Sequence, residues 1–357
     1  MTCSTGLGSP PAPRAIHGER RIAILAALSL FIAFPAAAQT SSAARATGAP
    51  VRIEINAIPI DAFEPRDPSI RQFGGLMFRG GLVLTSSYKD FGGLSAIRVF
   101  ADGSRFIALS DRGRWLTGRI VYERERPIGI ADAAMAPILG SDGRPLASRG
   151  WYDTESLAED GGTLYVGIER VNRIVRFDFA KQGLLARGQP IAVPPGIATL
   201  PHNRGLECLV VAPKGLPLAG TLIAISERGL DDAGNIMGFL IGGQTPGEFT
   251  VKRKDDFDVT DCAITPSGDL LLLERRFTWV SGVALRIRRV VLADVKPSVL
   301  VDGPHLLSAD MGFQIDNMEG LSVHRTAAGD VVLTLVSDDN FSLLQRTILL
   351  QFTLIEP

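Results

Sequence analysis

Four carboxylates, Glu155, Glu207, Asp261 and Glu319, recur along the chain at spacings of 52, 54 and 58 residues. Each opens a short apolar run: "ESLA", "ECLVV", "DCAI" and "EGLSV". A second set, Asp111, Glu169, Glu227, Glu274 and Asp338, closes the apolar run that follows a polar turn. Arg112, Arg170, Arg228 and Arg275 come directly after four of these second acids. Carboxylates gathered at one place raise each other's pKa and repel, so acids in this number call for a neutraliser.

Two neutralisers are open. Arginine is one: neighbouring strand residues point to opposite faces, so each Arg could reach the acid of an adjacent repeat and staple the two together. A hard divalent cation is the other, since carboxylate and Asn oxygens are ligands of Ca²⁺. Asn172, Asn203, Asn235, Asn317 and Asn340 are the candidate Asn donors. The first acids have no repeated Arg partner, which makes Glu155, Glu207, Asp261 and Glu319 the expected metal ligands. Glu207 and Glu319 lead, because each precedes a small residue, Cys208 or Gly320.

A cation held there would support metal-assisted hydrolysis of an ester or phosphoester. His202, five residues before Glu207, is placed to act as a general base or a further ligand; a loop histidine bonded to backbone is the plainer reading. Arg170 and Arg228 are the candidates for holding an anionic substrate group. His305 and His324 read as structural. No G-x-S-x-G, HExxH, CxxC or P-loop spacing occurs, so serine-hydrolase, zinc-protease, thiol-redox and nucleotide-phosphate chemistries lack support. The rival to an enzyme is a binding scaffold whose acids and arginines only close the fold.

The acids sit in a repeated unit: a short apolar strand, a polar turn ("DGS", "DGG", "PSGD", "AAGD"), a second apolar strand, then a third. Copies start at Gly92, Thr154, Gly205, Val259 and Asn317. No stretch after Gln39 shows a convincing helical stripe. A period in the fifties with four strands per unit predicts an all-β fold, a β-propeller of four-stranded blades. Phe73 to Ser87 resembles a degenerate further copy, which favours six blades over five. Val51 to Ile60 is expected to pair with the C-terminal blade and close the ring. In such a blade, the start of the first strand and the end of the second share one rim, so both acid sets converge on the channel mouth.

Arg20 and Arg21 precede an apolar run from Ile22 to Phe34, and small residues follow at Ala36 to Ala38. This pattern reads as a secretory signal over residues 1–38, with Gln39 the first mature residue and a periplasmic or secreted destination. Residues 39–50 read as a flexible linker and 51–357 as one domain, expected to be monomeric. The whole chain carries 37 basic and 38 acidic side chains, and no basic surplus points to nucleic acid. Cys208 and Cys262 each follow a first-strand acid, so they are expected at equivalent blade positions, facing separate gaps, buried and free.

The series "FGGLSAI…ALSDRG", "DTESLA…YVGIER", "RGLECL…AISERG" and "NMEGLSV…SDDN" resembles the phytase-like domain family, from about Gly74 to Leu354. Its members are secreted bacterial proteins described as having esterase-like activity of the phytase type. The resemblance implies a propeller and a small-molecule ester or phosphoester substrate. The stretch from Glu319 to Asp338 is also similar to gluconolactonase-like propellers, in which a Glu and an Asp hold a divalent metal.

Overall fold

Apolar runs bounded by Gly- and Asp-rich turns fold back on themselves, because a buried strand must pair its backbone groups and a tight turn is the shortest route to a partner. The computed structural model describes residues 48–355. The leader and most of the linker expected before the domain lie outside the described residues. Within them, antiparallel hairpins build five blades.

Blade one comprises Leu94–Val99, Arg105–Ser110, Arg114–Glu123 and Arg126–Pro137. Blade two comprises Thr154–Asp160, Thr163–Ile168, Arg173–Asp178 and Arg187–Pro190. Leu206–Val211, Leu222–Leu230, Ile236–Ile241 and Gly247–Val251 form blade three. Asp258–Ile264, Asp269–Thr278, Gly282–Val291 and His305–Ala309 form blade four. Blade five takes Asn317–Arg325, Val331–Asp338 and Thr347–Leu354 from the C-terminal end, then Leu76–Thr85 and Asn56–Ile60 from the N-terminal end.

The first strand of each blade lines the centre and packs on the first strands of its neighbours. The apolar core is correspondingly divided into five clusters, one between each pair of adjacent blades. Trp115 and Phe177 meet edge to face between blades one and two, for example. Phe63, Phe78 and Phe352 gather against blade four.

The ring has five blades, not the six favoured from the repeat count. Phe73 to Ser87 is no separate copy: Arg79–Gly81 does not reverse the chain but carries one long strand past a bulge opposite Gln351–Phe352. That strand is the fourth of blade five. Val51 to Ile60 divides as well. Asn56–Ile60 pairs into the closing blade as expected, whereas Val51–Arg52 pairs with Ala134–Met135 of blade one.

Every first strand carries a β-bulge near its start, an extra residue opposite none on the partner. The inserted residues are Ser95, Glu155, Glu207, Thr260 and Glu319. Blade four is therefore slipped by one residue relative to the sequence alignment. Thr260, not Asp261, is the counterpart of Glu207. The same slip corrects the cysteines. Cys208 comes one residue after its bulge and Cys262 two after, so they are not equivalent and their side chains converge. They form a disulfide between blades three and four, with Cα atoms 5.2 Å apart.

Candidate functional site

A bulge breaks the alternation of a strand locally and re-aims one side chain, and here it turns Glu155, Glu207 and Glu319 toward a common mouth. The ends of the second strands arrive at the same rim. Backbone pairing places Asp111 opposite Gly93, Glu169 opposite Asp153, Glu227 opposite Gly205, Arg275 opposite Asp258 and Asp338 opposite Asn317. The slip in blade four thus substitutes an arginine into a ring that is otherwise acidic.

Three of these acids come closest. One carboxylate oxygen from each of Glu169, Glu207 and Glu227 lies within 4.8 Å of the other two. Glu169 Oε1 accepts the Gly205 N–H at 2.6 Å. Gly205 is needed for this approach: a Cβ there would lie 2.7 Å from Glu169 Cγ and 3.0 Å from Asn172 Oδ1. Arg275 serves as the local counter-charge, 3.6 Å from Glu227 and 3.3 Å from Glu319. It also donates to Asn317 Oδ1, while Asn317 Nδ2 donates to Glu319 Oε1 at 2.8 Å.

One arginine does not neutralise this mouth. Burial pushes Glu319 up to about 8 although Arg275 opposes it. Burial pushes Glu169 to about 7 against the Gly205 hydrogen bond, and Asp338 to about 7 against the Asn340 N–H. Glu155 and Glu207 are raised well above the usual carboxylate range, by burial first and then by the charge of Glu319 on one and Glu155 on the other. Burial also raises Glu227 and Asp111.

The other residues singled out from the sequence are placed elsewhere. Asp261 is fully buried on Arg98. Its Oδ1 accepts from Arg98 Nη2 at 2.9 Å and the Cys262 N–H at 2.7 Å; its Oδ2 accepts from Arg98 Nη1 at 2.8 Å and the Leu321 N–H at 2.7 Å. Those four bonds use the capacity of a carboxylate, which argues against a ligand role. Arg98 continues to the carbonyls of Leu209 and Leu321, tying the first strands of several blades across the channel. Glu274 is buried between Arg286 at 2.7 Å and Arg288 at 2.5 Å, inside blade four.

Arg228 pairs with Asp258 and so staples blade three to blade four. Arg170 is exposed at the rim, its guanidinium 4.5 Å from the Tyr152 ring centre. It leaves the strand pattern because Glu169–Val171 is a 3₁₀ turn. His202 is exposed in the loop before Glu207. Arg170 turns to Tyr152 and Arg228 to Asp258, while Arg275 reaches back across the blade boundary to Glu227; Glu169 and Glu227 both come up beside Glu207.

The donor set fits a hard divalent cation. It is all oxygen, it carries excess negative charge, and it includes no thiol and no imidazole, which suits Ca²⁺ or Mg²⁺ better than zinc or copper. A further oxygen stands ready beside it. Asn172 Oδ1 is buried without a hydrogen-bond partner, while its Nδ2 is fixed on the Leu200 carbonyl at 2.8 Å. Asn172 has φ 47, a left-handed conformation that asparagine tolerates and that ends the 3₁₀ turn carrying Glu169. Glu169, Glu207, Glu227 and Asn172 are therefore the residues that would hold the ion.

No curated protein matches the chain. Among solved structures it is similar to the PQQ-bound aldose sugar dehydrogenase from Streptomyces coelicolor, at 11% identity over 76% of this chain and 97% of that one, with a TM-score of 0.38. It is also similar to glutaminyl cyclase from Myxococcus xanthus, at 13% identity over 86% of this chain and 100% of that one, with a TM-score of 0.36. Residues 89–341 match the family model described as phytase-like, esterase-like activity of phytase, and the chain belongs to the phytase-like family.

Proposed function

We propose that the acidic mouth binds a divalent cation, Ca²⁺ first, and hydrolyses a small ester: a carboxyl ester, a lactone or a phosphoester. The observation that carries this reading is the convergence of Glu169, Glu207 and Glu227 within 4.8 Å. Three carboxylates at that distance, two buried and one half-buried, repel strongly unless protonated or bound to a cation. When bound, the cation would polarise a carbonyl or phosphoryl oxygen of the substrate and make water a better acid.

The chain's own residues supply the rest. Glu155 is half-buried, raised in pKa and not tied to an arginine, so it can take a proton from attacking water and return it to a leaving group. Arg170, exposed at the rim and steadied on Tyr152, can orient a negatively charged substrate group. Arg228, committed to Asp258, and His202, out in its loop, are poorer candidates for direct roles. The density of acid disfavours a highly charged polyphosphate and favours a small ester. The signal-like N-terminal segment and the Cys208–Cys262 bridge both support a periplasmic or secreted protein, since disulfides persist in oxidising compartments. It would act there as a monomer.

The test is a calcium titration into chelated protein, read by melting temperature and by turnover of carboxyl ester, lactone and phosphoester substrates. Both should rise together. A rise in melting temperature without turnover on any substrate would leave a binding scaffold. No response of either would remove the cation from the account.

A further inference from the structure

We propose that the rim of the acidic mouth docks on a phospholipid surface, with the tips of blades four and five seated among the lipid chains. Docking of this kind needs no cation in the mouth. In blade four the second strand runs three residues past Arg275, to Thr278 opposite Gly282. At about 3.3 Å per residue, that lifts the turn roughly 10 Å above the ring of acids. The turn carries Trp279, 94% exposed, and Val280, fully exposed. Phe277 braces the indole edge to face, with ring centres 5.4 Å apart, and Thr278 Oγ1 pins the turn by accepting the Ser281 N–H at 3.0 Å. In blade five the loop 339–346 follows Asp338 at the same rim and presents Leu343, fully exposed, and Leu344, 93% exposed. Asp339 Oδ1 holds its start by accepting the Phe341 N–H at 3.0 Å. Arg346 holds its end, donating to Gln314 Oε1 and to the Ile315 carbonyl, each at 3.0 Å. The same 310–316 segment brings half-exposed Met311 to the base of the blade-four turn, where a Cβ on Gly282 would lie 2.9 Å from Met311 Cγ. The apolar tips thus form one connected group on one rim.

Large apolar side chains grouped in water mark a surface that meets a protein or a membrane. Three features select lipid. The tips stand apart on separate turns, so a protein partner would need a pocket for each, whereas a lipid surface yields around them all. Trp279 suits the boundary between chains and headgroups, because its ring is apolar and its N–H is polar. Charge is the third. On blades one to three the same rim carries Arg112, Arg173 and Arg204, exposed and in no ion pair among the described residues. Guanidinium forks match the oxygens of a phosphate. The acids of the mouth itself are buried or half-buried. Among exposed acids of the rim loops, Asp255 and Asp256 are paired with Arg286 and Arg253, which leaves Asp232 and Asp310 against the three arginines. One side of the rim is therefore apolar and the other cationic, matching the chains and the headgroup phosphates of a phospholipid.

Vesicle cosedimentation tests this in chelator, with phosphatidylcholine alone and with phosphatidylglycerol added, alongside tryptophan emission. The protein should partition onto the vesicles, and its emission should shift to the blue and be quenched by lipids brominated in their chains; Trp115 is buried, so the exposed Trp279 is the reporter. The paired change Trp279→Ser, Val280→Ser should weaken partitioning about ten-fold or more, and Leu343→Ser, Leu344→Ser should act likewise, the effect of removing large apolar side chains from lipid. Arg173→Gln and Arg204→Gln should each weaken binding to the phosphatidylglycerol vesicles about five-fold at low salt. All of these side chains are exposed, so the melting temperature should hold. No partitioning onto either vesicle, partitioning unchanged by the serine pairs, or a concentration-dependent dimer that the serine pairs abolish would each overturn the proposal.

Discussion

Glu207 and Asp261 look alike in sequence and differ in circumstance. Glu207 faces other acids and has no cationic partner of its own, whereas Asp261 is saturated by Arg98 and two backbone N–H groups. Changing Glu207 to Gln should weaken Ca²⁺ binding about ten-fold, the order seen for disturbed metal-site groups, and should make the cation-free protein more stable by removing repulsion. Isothermal titration and melting curves with and without chelator would read both effects. The corresponding Asp261→Asn change should act in the opposite direction. It leaves the buried Arg98 guanidinium without its counter-charge, a defect that costs about 3–5 kcal/mol, and the loss should appear in urea unfolding whether or not calcium is present. Glu155, Glu207 and Glu319 were legible as a set because a repeat exposes residues that recur without a packing reason. Asp261 was misread because nothing in "VTDCAI" announces which residue the bulge will insert.

Among the elements, the bulged first strand decides most of what happens at the mouth. Its position is a matter of backbone pairing, and hydrophobic pattern does not report it: "LECLVV" and "DCAI" align well by eye while lying one residue apart in register. That slip put Arg275 in the acid ring, retired Glu274 to the interior of its blade, and brought Cys208 to Cys262. The Asn172 oxygen was readable only as one candidate among several, because its left-handed turn depends on the 3₁₀ segment before it. The disulfide spans 54 positions, and a loop of that length corresponds to roughly 4 kcal/mol in the chain-entropy account. A Cys208→Ser, Cys262→Ser double variant should lose stability of this order in denaturant unfolding. Denatured, unreduced protein should show no reactive thiol from this pair, and a stoichiometry of two would contradict the bridge.

At the level of the whole molecule, the acids make stability depend on pH in a defined direction. Glu169, Glu319 and Asp338 hold their protons more tightly in the folded chain than their ordinary values of about 4 allow. Folded protein then binds more protons than unfolded protein between about pH 4 and 8, so stability falls as pH rises through that window. The melting temperature of chelated protein should decline from the acid side toward pH 8, and calcium should flatten the curve by favouring the ionised carboxylates. A profile that rises with pH in chelator would contradict the burial of these groups. The propeller itself was legible from the period. The blade count was not, since whether a strand opens a new blade or completes the last one depends on pairings between the two ends of the domain.

Those pairings also govern the order in which the domain can be made. Leu76–Thr85 lies between Asn56–Ile60 and Thr347–Leu354, with Thr347 opposite Leu84. Blades one to four are chains of local hairpins and can form as they emerge. The fifth cannot, because one of its strands is synthesised early and must wait, with an open edge, for a partner made near the end. Closing so long a loop carries an entropic cost that no local contact offsets, which makes it a slow step. During that wait Leu76–Thr85 is an apolar strand with unpaired backbone groups, the kind of edge that recruits other chains. The interval between synthesis of Leu76–Thr85 and ring closure is thus when this protein is most exposed to aggregation and most in need of a chaperone.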